Sequence, residues 1–89
     1  MRRFVKSYNV RRHCQYTVVQ DGDKRQFEVI RWRAGARDLE TVETIPYDPD
    51  VPGNREYVRG LAINAALTRR NADLEVRQQE QGDKQWLEM

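Results

Sequence analysis

The chain has one cysteine, one histidine and one serine, so thiol, imidazole and serine chemistry each rest on a single residue. All three lie near one end, as Ser7, His13 and Cys14. A lone Cys14 excludes an intramolecular disulfide and a cysteine-rich metal site, and it fits a reducing, cytoplasmic setting. His13 and Cys14 are neighbours, and in a strand neighbours point to opposite faces, so they could not share a proton there. No apolar run approaches the roughly 20 residues of a membrane-spanning helix. The opening "MRRFVKSYNV" is basic but lacks the apolar stretch of a signal peptide. Val, Ile, Leu and Phe make up only 19 of 89 residues, near the level at which disorder competes with folding. A net charge of only +2 and periodic apolar runs argue for a folded chain. One small domain over residues 1–89 is expected, with a homodimer or a tight partner as an easy source of further buried surface.

The remaining candidates for chemistry are weak. "QDGDKRQF" at 20–27 is echoed by "QEQGDKQW" at 79–86. A phosphate loop needs several glycines converging on a helix start, and each Gly-Asp-Lys has one. Both copies read as turns. Asp48-x-Asp50, with Glu43 nearby, could hold a hard cation through oxygens, but Asp-Pro also punctuates turns and nothing completes a ligand cluster. The expectation is therefore a protein that is not an enzyme, with no catalytic residue, no metal site and no cofactor.

What the chain does have is an uneven charge layout. Residues 1–37 carry ten basic against three acidic residues, and residues 38–89 carry six against eleven. Such asymmetry either steers a charged partner to one side or lets the two halves attract each other in the fold.

"CQYTVVQ" and "RQFEVIRWR" are rich in β-branched and aromatic residues and are separated by "DGD", a hairpin signal. A two-residue Gly22-Asp23 loop would set Val18 opposite Phe27 and Tyr16 opposite Val29, bringing four apolar residues to one face. An Asp21-Gly22 loop preserves that face. "DLETVETI" at 38–45 reads as a further strand and "RRFVKSYNV" as an edge strand. "PYDPDVPG" at 46–53 is a loop. Asn54 is a suitable N-cap, and apolar residues recur at helical spacing to a stop at Asn71, giving a helix over about 54–71. Beyond it, a loop at Gly82-Asp83 would align Leu74, Val76, Leu87 and Met89 on one face, favouring a C-terminal hairpin over a longer helix. The fold class is α+β: a mostly antiparallel sheet of three to four N-terminal strands, one helix and a terminal β-hairpin.

The functional candidate is Arg31-Trp32-Arg33. In an unbroken strand Trp32 projects with Ile30 away from the core face, an exposed aromatic beside arginines, with Arg11, Arg12 and Arg37 within reach. That combination suits an Arg/Trp-anchored protein interface or base stacking with phosphate contact. A bulge near residue 30 would instead return Trp32 to the core.

The succession "RRFVK", "HCQYTVVQDGDK", "GARD" and "INAALTRRN" is similar to that of small phage-encoded anti-CRISPR proteins acting on type I surveillance complexes. The resemblance implies a non-enzymatic inhibitor that occupies a surface of a host protein or ribonucleoprotein complex and blocks nucleic-acid access. Three strands followed by a helix also resemble the arm-binding modules of phage integrases, which read DNA with a basic sheet face. Asp38, Glu40 and Glu43 on the third strand depart from that pattern, since they would repel phosphate.

Overall fold

Alternation of apolar and polar residues dictates the sheet. The computed structural model describes residues 1–10, 14–35 and 37–87, with side chains described as far as residue 74. Four strands, β1 (Arg2–Val10), β2 (Cys14–Asp21), β3 (Gln26–Arg33) and β4 (Glu40–Pro46), precede one helix, α1 (Asn54–Leu87). The strands form an antiparallel meander in the order β1-β2-β3-β4. The α+β class is thus as expected.

The central hairpin keeps the predicted face and changes the register. Val18 pairs with Val29 and Tyr16 with Arg31, two residues along from the expected partners. The loop is correspondingly longer, running from Gly22 to Arg25. Asp21 explains this: its Oδ1 accepts from the backbone N–H groups of Asp23 at 3.1 Å and Lys24 at 3.2 Å. That Asx-type turn consumes more chain than a two-residue loop, and Arg25 closes it with a left-handed φ of 53°. A shift of two preserves the period of two, so Tyr16, Val18, Phe27 and Val29 still share one face.

That face meets α1. Val10, Cys14, Tyr16, Val18, Phe27 and Val29 pack with Val58, Ala62 and Ala66 in one buried cluster. Val58, Ala62 and Ala66 recur every four residues, one stripe of the helix. The two alanines, fully buried, let the helix lie close on the sheet. Each buried Val or Phe contributes about 1.5–3 kcal/mol by leaving water. Tyr47 extends the cluster, its ring 5.3 Å from that of Phe27.

The Pro-rich segment turns the chain from β4 into the helix. Asp48 Oδ1 accepts from the Asp50 N–H, and Gly53 adopts a φ of 78°, which suits glycine. Asn54 begins the helix as expected, but its side chain works backwards: Oδ1 accepts from the Asp48 N–H at 2.6 Å, holding the loop rather than the first turn. Beyond Asn71 the backbone continues as helix to Leu87, past the predicted end. "DLEVRQQEQ" consists largely of good helix formers, and the single Gly82 costs only about 1 kcal/mol there. The cross-strand pairs of the predicted C-terminal hairpin fall on side chains outside the described residues. Among the described residues no helix is long and apolar enough to cross a membrane.

Candidate functional site

Because α1 covers one face of the sheet, the other face is left to solvent, and strand parity decides what stands on it. Phe4 pairs with Val19, Thr17 with Ile30, and Gln15 with Trp32, all opposite in sense to the core residues. Gln15, Thr17, Val19, Ile30 and Trp32, with Leu39 from the segment before β4, line a shallow groove of about 350 Å³. Trp32 is 38% exposed, Phe4 69% and Leu39 64%. Ile30 is buried beneath its neighbours. The rest of this face is polar and internally paired: Ser7 Oγ lies 3.3 Å from Thr17 Oγ1 and also accepts from Gln15 Nε2.

A charged cluster closes the end of this face nearest the β2–β3 turn. Glu28, nearly fully buried, forms an ion pair with Arg2, Nε standing 3.2 Å from Oε2, and accepts from Gln26 Nε2 at 3.1 Å on Oε1. Arg2 also approaches Asp21 at 4.0 Å. The arginine is thereby neutralised.

A bulge does lie beside residue 30, but on the neighbouring strand. Val29 pairs with Glu43 and Ile30 with Thr41, so the extra residue, Val42, belongs to β4. β3 remains continuous against β2, and Trp32 stays out of the core.

Arg31 and Arg33 do not share Trp32's face. By the same parity both point to the α1 side, where Arg31 stands opposite Tyr16 and Arg33 opposite Cys14. Arg31 Nη2 bonds Glu40 Oε2. That bond lifts the guanidinium further above its usual range and holds the Glu40 carboxyl below its own. Arg33 and Arg37 are exposed. Arg11, Arg12 and His13 lie outside the described residues. Of the predicted binding residues that are described, Trp32 stands on the open face, Arg31 is bonded to Glu40 on the α1 side, and Arg33 and Arg37 are exposed.

Sequence reasoning missed the polar tie between sheet and helix. Tyr16 Oη donates to Asp73 Oδ2 at 2.6 Å, with Cys14 Sγ 4.0 Å from the same oxygen. Burial raises the tyrosine pKa, the bond to Asp73 raises it further, and Arg31 partly opposes both. On the β4 side, Arg69 donates to the Val42 carbonyl at 3.2 Å and approaches Glu43 at 3.5 Å. No sequence spacing signals a pair such as Tyr16 and Asp73. The open groove was legible in part, since Thr17 and Val19 share the parity of Ile30 and Trp32.

Among the described residues no group of three or more His, Cys, Asp or Glu side chains is placed to hold a metal ion. The fold and this face define a class: a four-stranded meander covered by one helix, with an aromatic, largely uncharged surface left open. Comparison with protein-family models, with curated proteins and with solved structures finds no match for this chain.

Proposed function

We propose that this chain is a non-enzymatic binding protein of the cytoplasm whose open sheet face docks on a larger host protein or ribonucleoprotein complex and blocks nucleic-acid access. The anti-CRISPR resemblance supplies the kind of target. The observation that carries the reading is Trp32, 38% exposed above an apolar groove that none of the described elements covers. Tryptophan on such a surface is the residue type that most often anchors a protein interface. Direct nucleic-acid recognition by this sheet face has less support, because Arg31 and Arg33 point away from it and Arg2 is neutralised by Glu28.

The test is a titration against a purified host complex first captured from lysate. Trp32→Ala is expected to weaken binding about 30-fold, the roughly 2 kcal/mol of an interface anchor, while Lys24→Ala leaves it unchanged. Equal affinity of Trp32→Ala and the parent protein would discard the face. Tight binding of the parent to generic nucleic acid that Trp32→Ala abolishes would replace the protein partner with a nucleic acid.

A further inference from the structure

A second surface lies on the other side of the molecule, along the seam between edge strand β1 and helix α1. The register places Arg3 opposite Gln20, and Lys6 opposite the buried Val18, so both basic residues stand on the α1 side of β1. On the helix, Arg59 and Arg70 are three turns apart, within about 20° of one stripe and about 16 Å along the axis. Tyr8 joins the two elements: Lys6 Nζ lies 5.5 Å from its ring centre and Arg70 Cζ 5.6 Å. Helix and strand thus each contribute two cations to the seam, with an aromatic ring between them.

These cations, like the exposed Lys24, Arg25, Arg33 and Arg37, have no carboxylate within 4 Å among the described residues. Among the described residues Arg2, Arg31, Arg55 and Arg69 lie within 4 Å of carboxylates, whereas Arg3, Lys6, Arg59 and Arg70 do not. The helical carboxylates nearest in sequence are engaged elsewhere, Glu56 by Arg55 and Asp73 by Tyr16 Oη. Arg70 donates from Nη2 to Asn71 Oδ1 at 3.2 Å, but its Nε, like Arg31 Nε and Glu28 Oε2, is buried without a hydrogen-bond partner among the described residues. A native fold rarely leaves such a group unsatisfied.

The geometry points to this seam as a binding site for the phosphodiester backbone of a nucleic-acid strand. Two cations on β1 and two on one stripe of α1 suit a linear polyanion, and the guanidinium and ammonium groups neutralise phosphates without reading base sequence. The site is independent of the docking face around Trp32. A protein that seats its open face on a ribonucleoprotein would present this seam to a strand passing alongside.

The experiment titrates the full chain against fluorescently labelled single-stranded DNA and RNA of mixed sequence, from 50 to 200 mM KCl. Four phosphate contacts give a log–log salt slope of about −2.8 and an affinity loss of about 50-fold across that range. Lys6→Glu and Arg70→Ala should each reduce the slope to about −2.1, an affinity loss of about 18-fold. Lys6 is exposed, so its replacement tests the site without threatening the fold. Trp32→Ala should leave these curves unchanged. The proposal is overturned by absence of binding at about 100 µM protein in 50 mM KCl. Slopes indifferent to Lys6→Glu and Arg70→Ala, or equal affinity for a polyglutamate of matched charge, would overturn it too.

Discussion

Replacing Tyr16 by Phe removes one hydroxyl and changes almost nothing else, which makes it the sharpest probe of how the helix is fastened to the sheet. The ring is 1% exposed and sits in the core, so the phenylalanine ring should occupy the same space. What is lost is a 2.6 Å bond from Tyr16 Oη to the Asp73 carboxylate. A hydrogen bond to a charged group contributes about 1.5–3 kcal/mol, and the half-buried carboxylate would be left short of a partner. For a domain of this size that corresponds to a fall in Tm on the order of 10 °C. Thermal melts of Tyr16→Phe, Asp73→Ala and the double variant at pH 7 form a cycle, and a coupling energy of about 1–2 kcal/mol is expected. The pH dependence adds a second signature. Because the folded-state pKa of Tyr16 is raised, its contribution is fully present below about pH 10, the unfolded value, and is lost as pH rises through the folded value. The parent protein should therefore show an alkaline loss of stability that Tyr16→Phe lacks. Strict additivity in the cycle, with the same alkaline limb in both proteins, would refute the reasoning.

Other expectations follow from the same contacts. Ala62→Leu should destabilise by about 1–3 kcal/mol, because Ala62 is fully buried between helix and sheet and the larger side chain must push them apart; a urea midpoint equal to the parent's would show that the helix rides higher. Arg69→Ala should cost no more than about 1 kcal/mol in the same assay, since Arg69 and Glu43 are each 39% exposed and their pairing is screened by water. Trp32→Ala should shift Tm by no more than a few degrees, as expected for a surface position, while removing docking; a large stability loss would place the side chain in the core.

Faces were legible in the sequence where lengths were not. The period of two in "CQYTVVQ" and "RQFEVIRWR" fixes which residues look inward, and it survives any register shift of two. It placed Tyr16, Val18, Phe27 and Val29 in the core, and left Trp32 open between the outer face of an unbroken strand and a return to the core through a bulge. The register itself depended on Asp21 turning its side chain back to bond Asp23 and Lys24, a local preference that competes with the tighter Gly-Asp loop. The reading of a stop at Asn71 and a terminal hairpin leaned on the likeness of the second Gly-Asp-Lys to the first, and the pairs it predicts fall on side chains outside the described residues. The candidate site was read as one patch because Arg31, Trp32 and Arg33 are adjacent in sequence. Adjacency in a strand separates side chains, and the arginines went to the α1 side.

Both outer strands of the sheet carry an irregularity: Val5 interrupts the pairing of β1 between Phe4 and Lys6, and Val42 that of β4 between Thr41 and Glu43. An edge strand is otherwise an open template for another chain to extend the sheet. A bulge bends that template and breaks its row of evenly spaced donors and acceptors, and β1 adds Arg3 and Lys6 to repel its own kind. Growth edge to edge into fibres is discouraged at both ends of the meander. Whatever associates with this protein is thereby directed to its broad surfaces, where side chains rather than backbone choose the partner.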